Sequence, residues 1–234
     1  MSDPIRVGLV QFGDFRRLSP VSDDWGFDRG QPIDRYYIER FFLKNADDVT
    51  GGVLEIGDAT YTRQVGGDRV SRIDVLNQED VPGTTIVDDL TNAVHIPPDS
   101  FDCVLLPQTL QYIYDLHAAI RTVHRILRPK GVVLATFPGI SRTSEGSVAD
   151  RANSRIGPES PWMTHWCWNL TPLSGQRLFE EVFGGGGVRV EGHGNVLVAM
   201  SFLHGLASHE LTRDELDYHQ LGYEVLIAVR AVKA

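Results

Sequence analysis

Cysteine is scarce, with two residues in 234, Cys103 and Cys167. Cys103 lies in an apolar run that reads as a buried strand, and Cys167 stands between two tryptophans. That spacing offers neither a disulfide framework nor a zinc site, so both are expected as thiols. Long hydrophobic runs are also lacking: no stretch approaches the length that spans a bilayer. The start Met1-Ser2-Asp3-Pro4 has no basic region followed by an apolar signal segment, and the expected location is cytoplasmic. Runs of Lys or Arg are missing too, and the formal net charge is -9. A chain of that charge has little to neutralise a phosphate backbone or an anionic lipid surface, which argues against nucleic acid and membrane as partners.

What is present is enough apolar content, 42%, for one full core. From Gly52 to about Pro138, short apolar segments alternate with helical patterns, which predicts strand-helix-strand units and a parallel sheet. Strands are expected at Val53 to Ile56, Arg72 to Leu76, Thr84 to Val87, Phe101 to Leu106 and Val132 to Phe137. Leu116, Ala119, Ile120, Val123, Ile126 and Leu127 recur at helical spacing, and Arg128-Pro129-Lys130-Gly131 is read as that helix's end. Ahead of the sheet, residues 1–50 form an arm, rich in Asp and Gly from Ser22 to Gln31 and helical from Ile33 to Leu43, placed to cover a pocket. The domain proper is expected over 51–234, with an irregular insertion at 139–171 over the acceptor site. Leu173 to Phe183 and Asn195 to Leu206 read as helices, Val188 to Val190 and Tyr223 to Val232 as strands.

Parallel sheets of this kind bind ligands outside the carboxyl ends of their strands. Gly57 follows the first strand directly, and a residue without a side chain lets the backbone approach a ligand closely. Glu55 precedes it by two. Asp74, in the second strand, lies 74 − 57 = 17 residues further on, about the distance at which an acid meets ribose hydroxyls in adenosine-cofactor folds.

Val53-Leu54-Glu55-Ile56-Gly57, Ile73-Asp74, Phe101-Asp102-Cys103-Val104 and Leu127-Arg128-Pro129-Lys130-Gly131-Val132-Val133-Leu134 resemble successive motifs of class I S-adenosylmethionine-dependent methyltransferases of the type 11 kind. Trp25-Gly26-Phe27-Asp28-Arg29-Gly30 and Asp34-Arg35-Tyr36-Tyr37-Ile38-Glu39 resemble a bacterial branch associated with glycan and glycosyltransferase pathways. The resemblance implies an α/β, Rossmann-like, doubly wound seven-stranded sheet, mostly parallel with the last strand antiparallel and helices on both faces. It implies S-adenosyl-L-methionine as cofactor, held by Tyr37, Glu55, Gly57, Asp58, Tyr61, Asp74, Val75, Asp89, Leu90 and Gln108. Ala59 and Tyr61 stand where later glycines of the first motif are usual, and Lys130 replaces the first of a glycine pair. With Ala59 and Tyr61 in the turn, the Tyr61 ring is expected as a wall of the cofactor pocket. A nicotinamide-binding domain is the alternative for the turn, but it wants three glycines around a pyrophosphate. A scaffold that has lost its cofactor is the other.

Methyl transfer from a sulfonium is an in-line displacement, and a hydroxyl acceptor also needs its proton removed. His165, within Trp162-Met163-Thr164-His165-Trp166-Cys167-Trp168, is the first choice of base. Tyr112 follows the fourth strand, where some relatives carry a histidine; it orients an acceptor or simply packs its helix. Gln111 is an acceptor ligand or a solvent-facing helix residue. Trp162 and Trp166 offer flat faces for a sugar ring, and Trp168 is as readily core. His117, His124, His193 and His204 have no evident place at the pocket. Asp88-Asp89 and Asp99 with Asp102 form no recognised metal cage, so a divalent metal is possible without being indicated. The favoured acceptor is a small molecule, a saccharide hydroxyl, with N- or C-methylation of another metabolite as the competing reaction. Oligomeric state is left open.

Overall fold

Val53 to Ile56, Cys103 to Leu106 and Val132 to Phe137 are buried without interruption, the pattern of strands covered on both faces. In a computed structural model of the chain, which describes residues 5–6, 8–144 and 166–234, these segments are inner strands of a seven-stranded sheet. The strands are β1 (Gly51–Ile56), β2 (Val70–Asn77), β3 (Ile86–Val87), β4 (Phe101–Pro107), β5 (Leu127–Pro138), β6 (Val188–His193) and β7 (Leu226–Val232), in the order β3-β2-β1-β4-β5-β7-β6. Strands β1 to β5 pair in parallel, and β7 runs antiparallel to both β5 and β6. The doubly wound sheet with an antiparallel last strand is therefore present.

Helices cover both faces. On one, α3 (Leu116–Ile126) and α4 (Pro172–Phe183) pack Ile120, Val123 and Phe179 onto Leu54, Val104 and Val133. On the other, α1 (Ile33–Lys44), α2 (Thr60–Val65), α5 (Val196–Leu203) and α6 (Arg213–Asp217) enclose Val53, Cys103, Leu105 and Leu134. Asp115 starts α3 by accepting from the Ala118 N–H at 2.9 Å. That helix ends at Ile126, before the Arg128-Pro129-Lys130-Gly131 stretch, which belongs to β5. Lys130 holds the left-handed position at φ +67 where a glycine is usual, its N–H bonded to the Lys233 carbonyl at 2.8 Å. Strand β3 is shorter than expected because threonine side chains replace part of the ladder: Thr85 Oγ1 accepts from the Val75 N–H, and Thr84 Oγ1 from Asn77 Nδ2. Among the described residues no helix is long and apolar enough to cross a membrane.

The strand order reverses between β1 and β4, so a crevice opens at their carboxyl ends, next to Gly57 and Gln108. The amino-terminal arm roofs this crevice. The Val21 and Ser22 N–H groups donate to the His204 carbonyl, Ser208 N–H donates to Gln31, and Pro32 bridges Ala207. The approach is glycine-tight: a Cβ on Gly26 (φ +91) would lie 2.8 Å from the Leu206 carbonyl oxygen. Behind the roof, α1 buries Ile33, Ile38, Phe41 and Phe42, so arm and sheet share one core.

Candidate active site

The site begins at the turn after β1. Gly57 sits at φ +95 and donates its N–H to Leu76; a Cβ built there would meet nothing within 4 Å, so space opens beside its backbone. Asp58 then folds back, its Oδ1 accepting from the Thr60 N–H at 2.7 Å, and α2 begins. The first N–H groups of a helix have no partner within it. Glu55, fully buried, supplies one by accepting from Tyr61 N–H at 3.1 Å and Thr62 N–H at 2.8 Å. Burial lifts its carboxyl to about 7 against the downward pull of the Thr62 and Tyr61 donors. Both Glu55 oxygens are thus committed to holding the turn rather than facing a ligand. Tyr61 also differs from expectation: its ring packs on Phe42 at 4.7 Å in the core and is no wall of the crevice, because the space between α1 and β1 is apolar.

Above this turn lies a cavity of ≈ 300 Å³. The segment after β1 contributes Asp58, and the segment after β4 contributes Gln108, Gln111 and Tyr112. Gln108 is held at φ +48, a conformation non-glycine residues rarely adopt, with its N–H on the Thr136 carbonyl. Gln111 donates from Nε2 to Gln108 Oε1 at 3.1 Å, while its own Oε1 is buried with no hydrogen-bond partner. Tyr112 meets Trp166 edge-on at 5.5 Å, and burial raises its phenol pKa, opposed by Ser144, Arg35 and Gln111. A protonated phenol can donate a hydrogen bond, and it is no base near neutral pH.

The arm supplies the roof of the cavity with Asp24, Trp25, Phe27, Asp34 and Arg35. Trp25 is at φ +52 and carries the Arg142 guanidinium 3.7 Å from its ring centre. Of these, the sequence marked only the Trp25-Gly26-Phe27-Asp28-Arg29-Gly30 and Asp34-Arg35 motifs, as family signatures and without a site role. Their place above the crevice depends on contacts with residues 204–210, far away in the chain.

Several expected residues fall elsewhere. Asp74 pairs with Leu54 inside the sheet, three positions before the end of β2, and its carboxylate contacts Arg72 at 2.8 Å and Thr85 at 3.2 Å. The register Ile56↔Leu76 makes Asn77 the residue level with Gly57, and Asn77 Nδ2 donates to the Gly57 carbonyl at 3.0 Å. Val75 is buried beside Glu55. Asp89 closes a turn on the Thr91 N–H, and Leu90 is core. Tyr37 faces a second cavity, with its hydroxyl donating to the Leu216 carbonyl. His165 and Trp162 lie outside the described residues. Asp102 is structural, accepting from Gly52 N–H and Arg128. Among the described residues no group of three His, Cys, Asp or Glu side chains could hold a metal ion.

The cavity thus joins an orphaned amide oxygen, one guanidinium, three carboxylates and aromatic walls. Such a lining suits a polar ligand bearing charges of both signs, which is the chemistry of S-adenosylmethionine.

Comparison with known proteins agrees with this fold. Residues 59–135, a third of the chain, match the family model described as a methyltransferase domain. The structure is similar to that of a SAM-dependent methyltransferase from Archaeoglobus fulgidus, with TM-score 0.52, 11% identity, and 85% of this chain and 94% of that one covered. It is also similar to the plantazolicin methyltransferase BamL, in complex with a triazolic desmethylPZN analog and SAH, with TM-score 0.51, 16% identity and coverage of 91% and 89%. A putative sarcosine dimethylglycine methyltransferase from Galdieria sulphuraria gives TM-score 0.51, 13% identity and coverage of 86% and 90%. No curated protein matches the sequence closely. At these identities the likeness establishes the fold, and residues 59–135 are similar to a methyltransferase domain.

Proposed function

We propose that the chain transfers a methyl group from S-adenosylmethionine to a small polar acceptor, with a saccharide hydroxyl the favoured acceptor. The observation that carries this reading is the cavity at the β1/β4 switch point, where Asp58, Gln108 and the unpartnered Gln111 Oε1 converge beneath Trp25 and Trp166. When bound, S-adenosylmethionine supplies an electrophilic methyl group on a sulfonium. Gly57 leaves room for that ligand along its backbone, and Asp58 and Gln111 accept from its donors. Gln108 and Tyr112 orient the acceptor. The arm and Trp166 exclude water from the line of transfer. His165 remains the proposed base, and Asp34 is a carboxylate from the described lining that can take its place.

Aromatic walls among amides and carboxylates favour a saccharide, whose ring faces stack while its hydroxyls hydrogen-bond. The three carboxylates Asp24, Asp34 and Asp58 favour a second reading, transfer to a cationic amine. Calorimetry with S-adenosylmethionine and S-adenosylhomocysteine tests the cofactor, and no binding of either at millimolar concentration defeats the enzyme reading. A methyl-transfer screen over saccharides, other polyols and small amines, read by mass spectrometry, decides the acceptor. Methylation of amines alone overturns the hydroxyl assignment.

A further inference from the structure

Resting on the cofactor reading above, we propose that Arg35 binds the α-carboxylate of the cofactor's methionyl end. Among the described residues lining the cavity, Arg35 is the sole cation, set against Asp24, Asp34 and Asp58. It projects from the first turn of α1 and is half-buried, with a side-chain exposure of 31%. It lines the same cavity as Asp58, the residue after Gly57, and as Gln108 and Tyr112, beyond β4.

Its ion pair leaves most of the guanidinium available. Asp34, its neighbour in sequence, meets a single nitrogen at 3.4 Å, and the Phe27 ring centre lies 5.9 Å from its central carbon. Arg230 elsewhere in this molecule shows the saturated arrangement, with two nitrogens on the two oxygens of Asp48, each at 2.7 Å. A planar fork with donors to spare, half-buried beside a ligand cavity, is suited to a carboxylate, which it grips through two parallel hydrogen bonds. The cofactor carries one carboxylate, and the other charged groups on this lining are carboxylates that would repel it. The positively charged α-amino group is the natural neighbour of those acids, so the two ends of the amino acid sort themselves by sign.

The test uses S-adenosylhomocysteine and its decarboxylated analogue, S-adenosyl-3-thiopropylamine, titrated calorimetrically into the full chain and into Arg35→Met and Arg35→Lys. The wild type should prefer the carboxylate-bearing ligand. In Arg35→Met the affinity for S-adenosylhomocysteine should fall by about tenfold to a hundredfold, as for loss of a charge-assisted hydrogen bond. The decarboxylated analogue should keep its affinity within about twofold, since its contacts are untouched, and Arg35→Lys should fall between. A preference that persists in Arg35→Met overturns the assignment, as does an equal loss for both ligands in both variants. Failure of the wild type to bind either ligand instead defeats the cofactor reading on which it rests.

Discussion

Two cavities flank α1, and they treat their charges in opposite ways. The larger, ≈ 430 Å³, lies between α1, the end of β6 and α6. There Lys44 is paired with Glu191 at 2.6 Å, Arg40 with Asp217 at 3.0 Å, and Tyr37 stacks on His193 at 5.3 Å. One loose end is His193 Nε2, 3.9 Å from Glu191, on a ring whose pKa burial lowers, so it is neutral near pH 7. The smaller cavity, at the switch point, leaves an amide oxygen unpartnered and a guanidinium thinly paired, with three carboxylates on its lining. Volume alone would not choose the switch-point cavity. Unanswered polar groups at the carboxyl ends of β1 and β4 mark the candidate site, because a buried acceptor left without a donor is costly unless a ligand supplies one.

The comparison can be broken most severely beneath the smaller cavity. Glu55 has its carboxyl pKa raised from 4.5 to about 7 by burial, so the folded state binds its proton more tightly than the unfolded one. Its contribution to stability is greatest below pH 4.5 and is lost as pH rises through 7. By linkage this amounts to about 3 kcal/mol across that window. Urea unfolding at pH 5 and pH 8 should show that decline in the wild type, and Glu55→Gln should flatten it; an unchanged slope would refute the origin given.

Next in size is the turn itself. Gly57→Val forces a branched side chain into φ +95 and into the space a ligand needs. It should cost about 1–2 kcal/mol of stability and abolish S-adenosylhomocysteine binding, measured calorimetrically. Gln111→Leu is a finer probe: it removes an orphaned amide oxygen together with the Nε2 bond to Gln108, so stability should change by less than about 1 kcal/mol, while cofactor or acceptor affinity falls by about 1 kcal/mol. Loss of stability with full affinity would make Gln111 a packing residue.

The smallest effects sharpen the contrast from the other side. Lys44→Ala removes an exposed ion pair of the larger cavity and should cost less than about 1 kcal/mol with no change in cofactor affinity. Asp74→Asn should behave alike, because its carboxylate meets Arg72 and Thr85 within the sheet. A marked fall in affinity in Asp74→Asn would restore it to the ribose position that its sequence spacing suggested.

The same contrast explains what was legible beforehand. Strands β1, β4 and β5 and helix α3 were readable because their apolar residues recur at the period of the element. Following the fourth and fifth strands to their ends singled out Gln108, Gln111, Tyr112 and Trp166, which line one cavity. Tyr61 was misread since an aromatic replacing a glycine near a pocket gives no sign of which way its ring turns, and Phe42, nineteen residues earlier in the chain, decides that. Trp25 and Arg35 went without a role because only the docking of residues 21–32 on 204–208 brings them over the crevice.

By itself the sequence determined the alternation of strands and helices, the glycine after the first strand and the acid two residues before it, since these follow from local periodicity and backbone freedom. Tertiary structure alone decided which residue of β2 stands level with the turn. Counting 17 residues from Gly57 reaches Asp74, but β2 continues to Asn77, and the pairing of Ile56 with Leu76 puts Asn77, not Asp74, level with the turn. Spacing along a chain carries no register, and register is fixed where Val75, Leu76 and Asn77 are buried at the end of β2.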